Sequence, residues 1–251
     1  MFSFFARKKK STDLGWLKVD MHSHILPGID DGCVSIDQSI QILDRLQELG
    51  LSSFYFTPHV FAEMYPNNKE TVSNAYRALL QHIPSGIDSA YAAEYMVDSV
   101  FEKDLIENDS ELLLLPNEHI LIEMSYMQES LSIEDVLFNL KVQGYKPILA
   151  HPERYVYYHG DRSRLKRFKE IGVLFQVNIL SLIGYYGKRE KHAAKWLADQ
   201  GWIDLLGTDV HHERHVNAIE VGLGHEDLRK VLDKCDIKNE VLFAQHKVLN
   251  V

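Results

Sequence analysis

The sequence predicts a single parallel α/β domain that closes, or nearly closes, into a β/α barrel. Seven short β-branched or aromatic runs recur about every 30 residues, the length of a strand-loop-helix unit. Amphipathic stretches fill the intervals, and no long Pro- or Ser-rich linker divides the chain. An open doubly wound sheet is the competing arrangement, but its Gly-rich loop after the first strand is absent.

Residues 1–15 form an expected basic tail, Met-Phe-Ser-Phe-Phe-Ala followed by Arg7, Lys8, Lys9 and Lys10. Its charges follow its apolar segment, the reverse of a signal peptide. A frayed terminus is the plain expectation; aromatic residues beside four cations also suit peripheral contact with an anionic membrane. The domain is expected over 16–251, with strands at Trp16–Asp20, Ser53–Thr57, Ala90–Glu94, Ile120–Glu123, Pro147–Ala150, Leu174–Asn178 and Ile203–Gly207. Ser35 and Gln38 make a capping box, after which Ile36, Ile40, Leu43, Leu46 and Leu49 line one helical face up to Gly50. Val136, Leu137 and Leu140 precede a stop at Gly144, and a helix from Lys188 to Gln200 stops at Gly201.

Composition narrows the function. The chain has 251 residues with 36 acidic and 27 basic side chains, a formal net charge of −9. This balance argues against broad binding to nucleic acid, which needs clustered Lys and Arg. Two cysteines, Cys33 and Cys235, exclude a disulfide scaffold and point to a reducing, cytoplasmic compartment. No apolar run approaches the ~20 residues of a membrane span. Thirteen histidines are many for this length.

In such barrels the chemistry sits on loops at the carboxyl ends of the strands. The first strand runs into Asp20-Met-His22-Ser-His24, which presents two imidazoles on one side of an extended backbone. The turn Asp30-Asp31-Gly32 follows. Later strands end in Thr57-Pro-His59, Glu94, Glu123, Ala150-His151-Pro-Glu-Arg154 and Thr208-Asp209-Val-His211. One strand-end histidine is ordinarily a hydrogen-bonded loop residue. Six of seven strands ending in His, Asp or Glu is the pattern of a multinuclear metal site. All the donors are N or O, which suits manganese, iron or zinc.

These segments, from Asp20-Met-His-Ser-His-Ile-Leu-Pro-Gly-Ile-Asp-Asp-Gly32 through Ala150-His-Pro-Glu-Arg-Tyr155 to Thr208-Asp-Val-His211, resemble the PHP (polymerase and histidinol phosphatase) domain. The closer likeness is to its bacterial protein-tyrosine phosphatase branch, encoded with capsule and exopolysaccharide genes. The resemblance implies a distorted seven-stranded β/α barrel holding three divalent ions, manganese first and iron or zinc as alternatives. It implies that His22, His24, Glu94 and Asp209 hold one ion, and that Glu94 bridges to a second completed by Glu123 and His151. Asp31, His59 and His211 would hold the third, with Asp30 as an alternative to Asp31. It further implies a phosphotyrosyl protein as substrate, in particular a membrane-associated tyrosine autokinase controlling polysaccharide export.

Four ligand carboxylates against three divalent ions leave a site of about two positive charges, complementary to a phosphomonoester. Hydrolysis by metal-activated water follows, with Asp209 and His211 in the catalytic centre. Arg154 is the expected clamp on the phosphoryl oxygens, unless it pairs with Glu153 or another acid. Arg214 and Tyr155 are further candidates for substrate contact. Cysteine chemistry is excluded: the position six residues after Cys33 is Ser39 and after Cys235 is Val241, where an arginine is needed. The predicted active-face loops carry Phe61, Tyr65, Tyr95, Tyr126, Tyr155, Tyr157, Tyr158, Tyr185 and Tyr186, as an aromatic rim for phosphotyrosine or as mutual loop packing. Two other functions stay open at this point: a phosphoesterase for a small metabolite or a nucleic-acid end, and a metal-binding regulatory protein without turnover.

Overall fold

The computed structural model describes residues 13–107 and 112–244. Most of the basic tail, including Arg7 to Lys10, lies outside the described residues. Leu14 is fully buried, and its N–H donates to Leu49 O at 2.6 Å.

Among the described residues nine strand segments alternate with ten α-helices. In chain order the strands are β1 Val19–Asp20, β2 Ser53–Phe56, β3 His59–Val60, β4 Asp88–Tyr91, β5 Glu94–Met96, β6 His119–Glu123, β7 Lys146–Ala150, β8 Leu174–Asn178 and β9 Leu205–Gly207. The helices are α1 Ile36–Glu48, α2 Lys69–Leu80, α3 Ser99–Glu107, α4 Ile133–Val142, α5 Ser163–Glu170, α6 Ile179–Ile183, α7 Lys188–Asp199, α8 Glu213–His225, α9 Leu228–Val231 and α10 Asn239–Phe243. Ser35 caps α1 by accepting from Gln38 N, whereas the Gln38 side chain accepts from Val34 N. Gly50, Gly144 and Gly201, predicted as helix stops, all have positive φ.

Every pairing between these strands is parallel, but they do not form one ring of seven. β1, β2 and β4 make a three-stranded sheet, and β3-β5-β6-β7-β8-β9 a six-stranded one. The difference arises just after the second expected strand and within the third, where the chain crosses between the sheets. Thr57-Pro58 separates β2 from β3, and Pro58 has no N–H to give a ladder. Ala92-Ala93 separates β4 from β5. Beyond β1 and β9 the loops are tied directly: Asp209 N donates to His22 O at 2.9 Å and His24 N to Val210 O at 3.0 Å. Asp20 reinforces the tie, accepting from Thr208 N at 2.9 Å and Thr208 Oγ1 at 2.5 Å.

Period-two alternation then sorts side chains to two faces. Ile120, Ile122, Leu149, Phe175 and Val177 belong to the large apolar cluster. Leu121, Ile148, Ala150 and Leu205 form a smaller one with Met21, Tyr55 and Phe243. Glu123 lies two residues beyond Leu121 on β6, and Asn178 two beyond Gln176 on β8. The face that carries the small apolar plug therefore carries the polar cluster at its carboxyl end. Each fully buried Leu or Ile of that plug contributes about 1.5–3 kcal/mol.

Candidate metal centre and phosphate cavity

All nine predicted ligands converge at that carboxyl end. Four overlapping sets have ligand atoms within 4.8 Å of one another: His22, His24 and Asp209; His22, Glu94 and His151; His59, Glu94 and Glu123; and His24, Asp31, His59 and His211. Glu94 belongs to two of them, as do His22, His24 and His59. His59 and Glu94 are neighbours because β3 and β5 pair with these two residues in register. Both therefore open their strands in the six-stranded sheet, rather than closing strands as the sequence suggested.

The hydrogen bonds prepare the histidines for a cation. His22 Nδ1 donates to Gln176 Oε1 at 2.8 Å, His24 Nδ1 to Asp30 Oδ2 at 2.8 Å, and His211 Nδ1 to the Asp209 carbonyl at 2.9 Å. These donors fix the tautomer and leave each Nε2 with a lone pair. The Nε2 atoms of His22 and His24 lie only 3.2 Å apart, close to Glu94 and Asp209. Two facing lone pairs repel unless an electrophile sits between them. Glu94 Oε2, His59 Nδ1 and His151 Nδ1 are buried without a hydrogen bond, although His59 Nδ1 lies 2.8 Å from Glu123 Oε1. Buried polar atoms are ordinarily satisfied. The donor set, N and O throughout, fits divalent metal ions.

Burial alone would raise the carboxyl pKa values of Glu94 and Asp209, but when the neighbouring histidines carry a proton in place of a cation their charge, His22 foremost, outweighs it and holds both well below the usual range. At Asp30 burial is likewise outweighed, by the hydrogen bond from His24, and the carboxyl falls to about 2. Asp30 also accepts from Gly32 N and His59 N. Its side chain is fully buried against protein donors, whereas Asp31 Oδ1 lies 3.4 Å from His59 Nε2 and 3.6 Å from His211 Nε2. The geometry thus separates the two aspartates: Asp31 faces the ligand cluster and Asp30 orients His24.

His151 (φ 35°) and Asp209 (φ 51°) are non-glycine residues in the left-handed region. This costs about 1–2 kcal/mol each. Such strain persists where the surroundings over-determine the backbone, and both residues sit at the turn that aims a side chain into the cluster.

Above the cluster opens a cavity of about 500 Å³ lined by Asp31, His59, Glu123 and His211, by Phe61, Tyr65, Tyr126 and Tyr186, and by Arg154. Arg154 is the one Lys or Arg in that lining. Its guanidinium lies between two rings, 4.2 Å from the centroid of Tyr126 and 4.0 Å from that of Tyr186. It donates to Tyr126 Oη at 2.8 Å and to Asp209 Oδ2 at 3.4 Å. Glu153 turns away, accepting from Asn178 N at 3.0 Å, so the two successive residues are not partners.

The matched motifs have a counterpart in a family model, "Capsular polysaccharide synthesis, CpsB/CapC", which covers residues 18–239. The chain belongs to the CpsB/CapC family. Among curated members, the tyrosine-protein phosphatase YwqE of Bacillus subtilis is 28% identical over 204 residues, covering 79% of each chain. The tyrosine-protein phosphatase CpsB of Streptococcus pneumoniae is 24% identical over 204 residues, 77% of this chain and 83% of the relative. A solved structure from a study of YwqE and CpsB, described as metal-dependent tyrosine phosphatases, superimposes with a TM-score of 0.77 at 25% identity, covering 92% of this chain and 96% of the other. A histidinol phosphate phosphatase from Lactococcus lactis shares the fold alone, at 14% identity and a TM-score of 0.51.

Two expected contacts of this CpsB/CapC chain are corrected. Tyr155 is fully buried, its hydroxyl accepting from Met124 N at 3.0 Å, and it supports the cavity wall from behind. Arg214 is exposed on α8 and does not line the cavity. Of the nine rim aromatics only Phe61, Tyr65, Tyr126 and Tyr186 reach the cavity; Tyr95 and Tyr158 are buried in the main core. Conversely, the strand that ended without an acid or histidine is not idle. On β8, Gln176 orients His22, and Asn178 Nδ2 donates to Asp209 Oδ2 at 2.6 Å. The signal was present as two amides at one strand end, spaced to share a face.

Proposed function

We propose that this chain is a metal-dependent tyrosine-protein phosphatase, hydrolysing phosphotyrosine on a protein substrate. One observation carries the reading: nine N and O donors converge beneath a cavity that holds a single arginine and four aromatic side chains. Three divalent ions, with manganese first and iron or zinc as alternatives, are assigned to His22, His24, Asp31, His59, Glu94, Glu123, His151, Asp209 and His211. Such ions supply Lewis acidity and an activated water.

The chain's own residues do the rest. Arg154, partly exposed to the cavity, binds the non-bridging phosphoryl oxygens and stabilises the charge that develops on them. Tyr126 and Tyr186 hold its guanidinium flat, and Asp209 anchors it to the ligand cluster. Phe61 and Tyr65 flank the phenyl ring of the substrate, and the cavity volume suits a phosphotyrosine side chain. Asp209 and His211 join ligand cluster to phosphate site, since the His211 ring is oriented by the Asp209 carbonyl. A capsule- or exopolysaccharide-controlling tyrosine kinase in the cytoplasm is the substrate this reading favours; no described helix is long and apolar enough to cross a membrane.

The test combines metal analysis of the purified protein with hydrolysis of a phosphotyrosyl peptide before and after chelation. Metal-dependent release of phosphate is expected. A metal-replete sample inert towards phosphotyrosyl peptide but active on histidinol phosphate would overturn the reading.

A further inference from the structure

The phosphate cavity does not end at its aromatic rim. A second groove of about 370 Å³ continues from it, sharing Phe61, Met96 and Ser125 as common wall. It runs between the loop after β3 and the loop after β6, across the start of α3. Its lip and that of the cavity carry four exposed apolar side chains: Met64 (63% exposed), Val100 (45%), Met127 (83%) and Leu131 (97%). Singly exposed hydrophobics are ordinary, but a group of them around the mouth of a site marks a contact surface. Methionines suit such a surface because they repack around different side chains.

Charge is one-sided in this groove. Its lining includes Glu63, Asp98 and Glu129 and no Lys or Arg. Glu129 is answered by Arg164 at 3.0 Å and by the Tyr158 hydroxyl, and Asp98 caps α3 by accepting from Val100 N and Phe101 N. Glu63 is exposed and lines the groove.

Resting on the phosphatase reading, we infer that this groove is the subsite for the polypeptide flanking the phosphotyrosine. The occupant is an extended segment bearing an apolar side chain and no excess of negative charge. Leu131 and Val100 receive that side chain, and Glu63 repels acidic neighbours. The groove is continuous with the phosphate cavity, so a chain leaving the bound phosphotyrosine along this wall enters it directly. Specificity of this kind rests on both attraction and repulsion.

The metal-loaded protein is assayed on a phosphotyrosyl peptide with leucines beside the phosphotyrosine, on the same peptide with glutamates there, and on phenyl phosphate. The native chain is expected to prefer the leucine peptide by roughly tenfold in kcat/KM. Leu131→Glu lowers kcat/KM for the leucine peptide by a similar factor and leaves phenyl phosphate within about twofold; Glu63→Lys narrows the discrimination against the glutamate peptide. If peptide and phenyl phosphate change together, or the two peptides are turned over equally by the native chain, the groove assignment is overturned alone. Absence of turnover on every aryl phosphate overturns the phosphatase reading and this assignment with it.

Discussion

Asp30 Oδ2 lies 2.8 Å from Nδ1 of His24, so the imidazole is held from behind by a buried carboxylate while its other nitrogen faces Glu94 and Asp209. Partners of this type orient a ligand and raise its basicity, and losing one costs about 10–100-fold in metal affinity. Asp30→Ala is therefore expected to lose metal on dialysis and regain activity at high added metal. Metal content and activity against metal concentration check this; full occupancy after dialysis would refute the orienting role.

Arg154→Ala should reduce turnover by roughly 100-fold, the cost of removing one charge-stabilising donor, with metal content unchanged. Tyr186→Ala removes the ring beneath the guanidinium and should weaken substrate binding more than turnover, while Tyr186→Phe, which keeps the ring, restores most of it. Steady-state kinetics with metal analysis separates these outcomes. Arg154→Lys should not substitute, because an ammonium does not stack between two rings or bind bidentately.

Chelation should abolish activity, and thiol alkylation should not. Cys33 is buried, and burial pushes its thiol up to about 11, so at neutral pH it is neither exposed nor ionised. Assays after chelator and after iodoacetamide decide this. Loss of activity on alkylation of the native protein would contradict a metal-dependent site.

Gly207 closes β9 where a Cβ would meet His22 Cβ at 2.6 Å and Gln176 Nε2 at 2.8 Å. Gly207→Ala is expected to destabilise the fold by about 1–3 kcal/mol, the usual cost of overpacking, and to displace His22 from its amide partner. A thermal melt and a metal titration test both parts. An unchanged melt with full occupancy would show that the loops relax around the added methyl.

The ligands were legible in the sequence because they follow strand ends, where hydrophobic alternation stops and a His, Asp or Glu follows. The run Leu174–Asn178 has its observed limits because its apolar, β-branched and aromatic residues stand between the Gly172 stop and Asn178, although no acid or histidine follows it. What escaped depended on three-dimensional partners. Ala90–Glu94 reads as one strand, but Ala92-Ala93 carries the chain from one sheet to the other, and small apolar residues give no sign of such a crossing. Tyr155 follows Arg154 directly, yet successive residues at a 3₁₀ turn point about a third of a turn apart; one faces the cavity and the other the core. Gln176 and Asn178 fall outside a reading that looks only for His, Asp and Glu at strand ends. Their role appears only when His22 and Asp209 are beside them.

Asp31 differs from the other eight donors in one respect: half of its side chain is exposed, while those of His22, His24, Glu94, Glu123, His151 and Asp209 are nearly inaccessible. A gradient of access across one cluster becomes a gradient of exchange. On the proposed assignment, a cation held at the mouth by Asp31, His59 and His211 would trade with the medium fastest, and one enclosed by His22, Glu94 and His151 slowest. The enzyme would then lose its activity to a chelator in stages, keeping a deep, inert complement of metal after its outermost ion has gone.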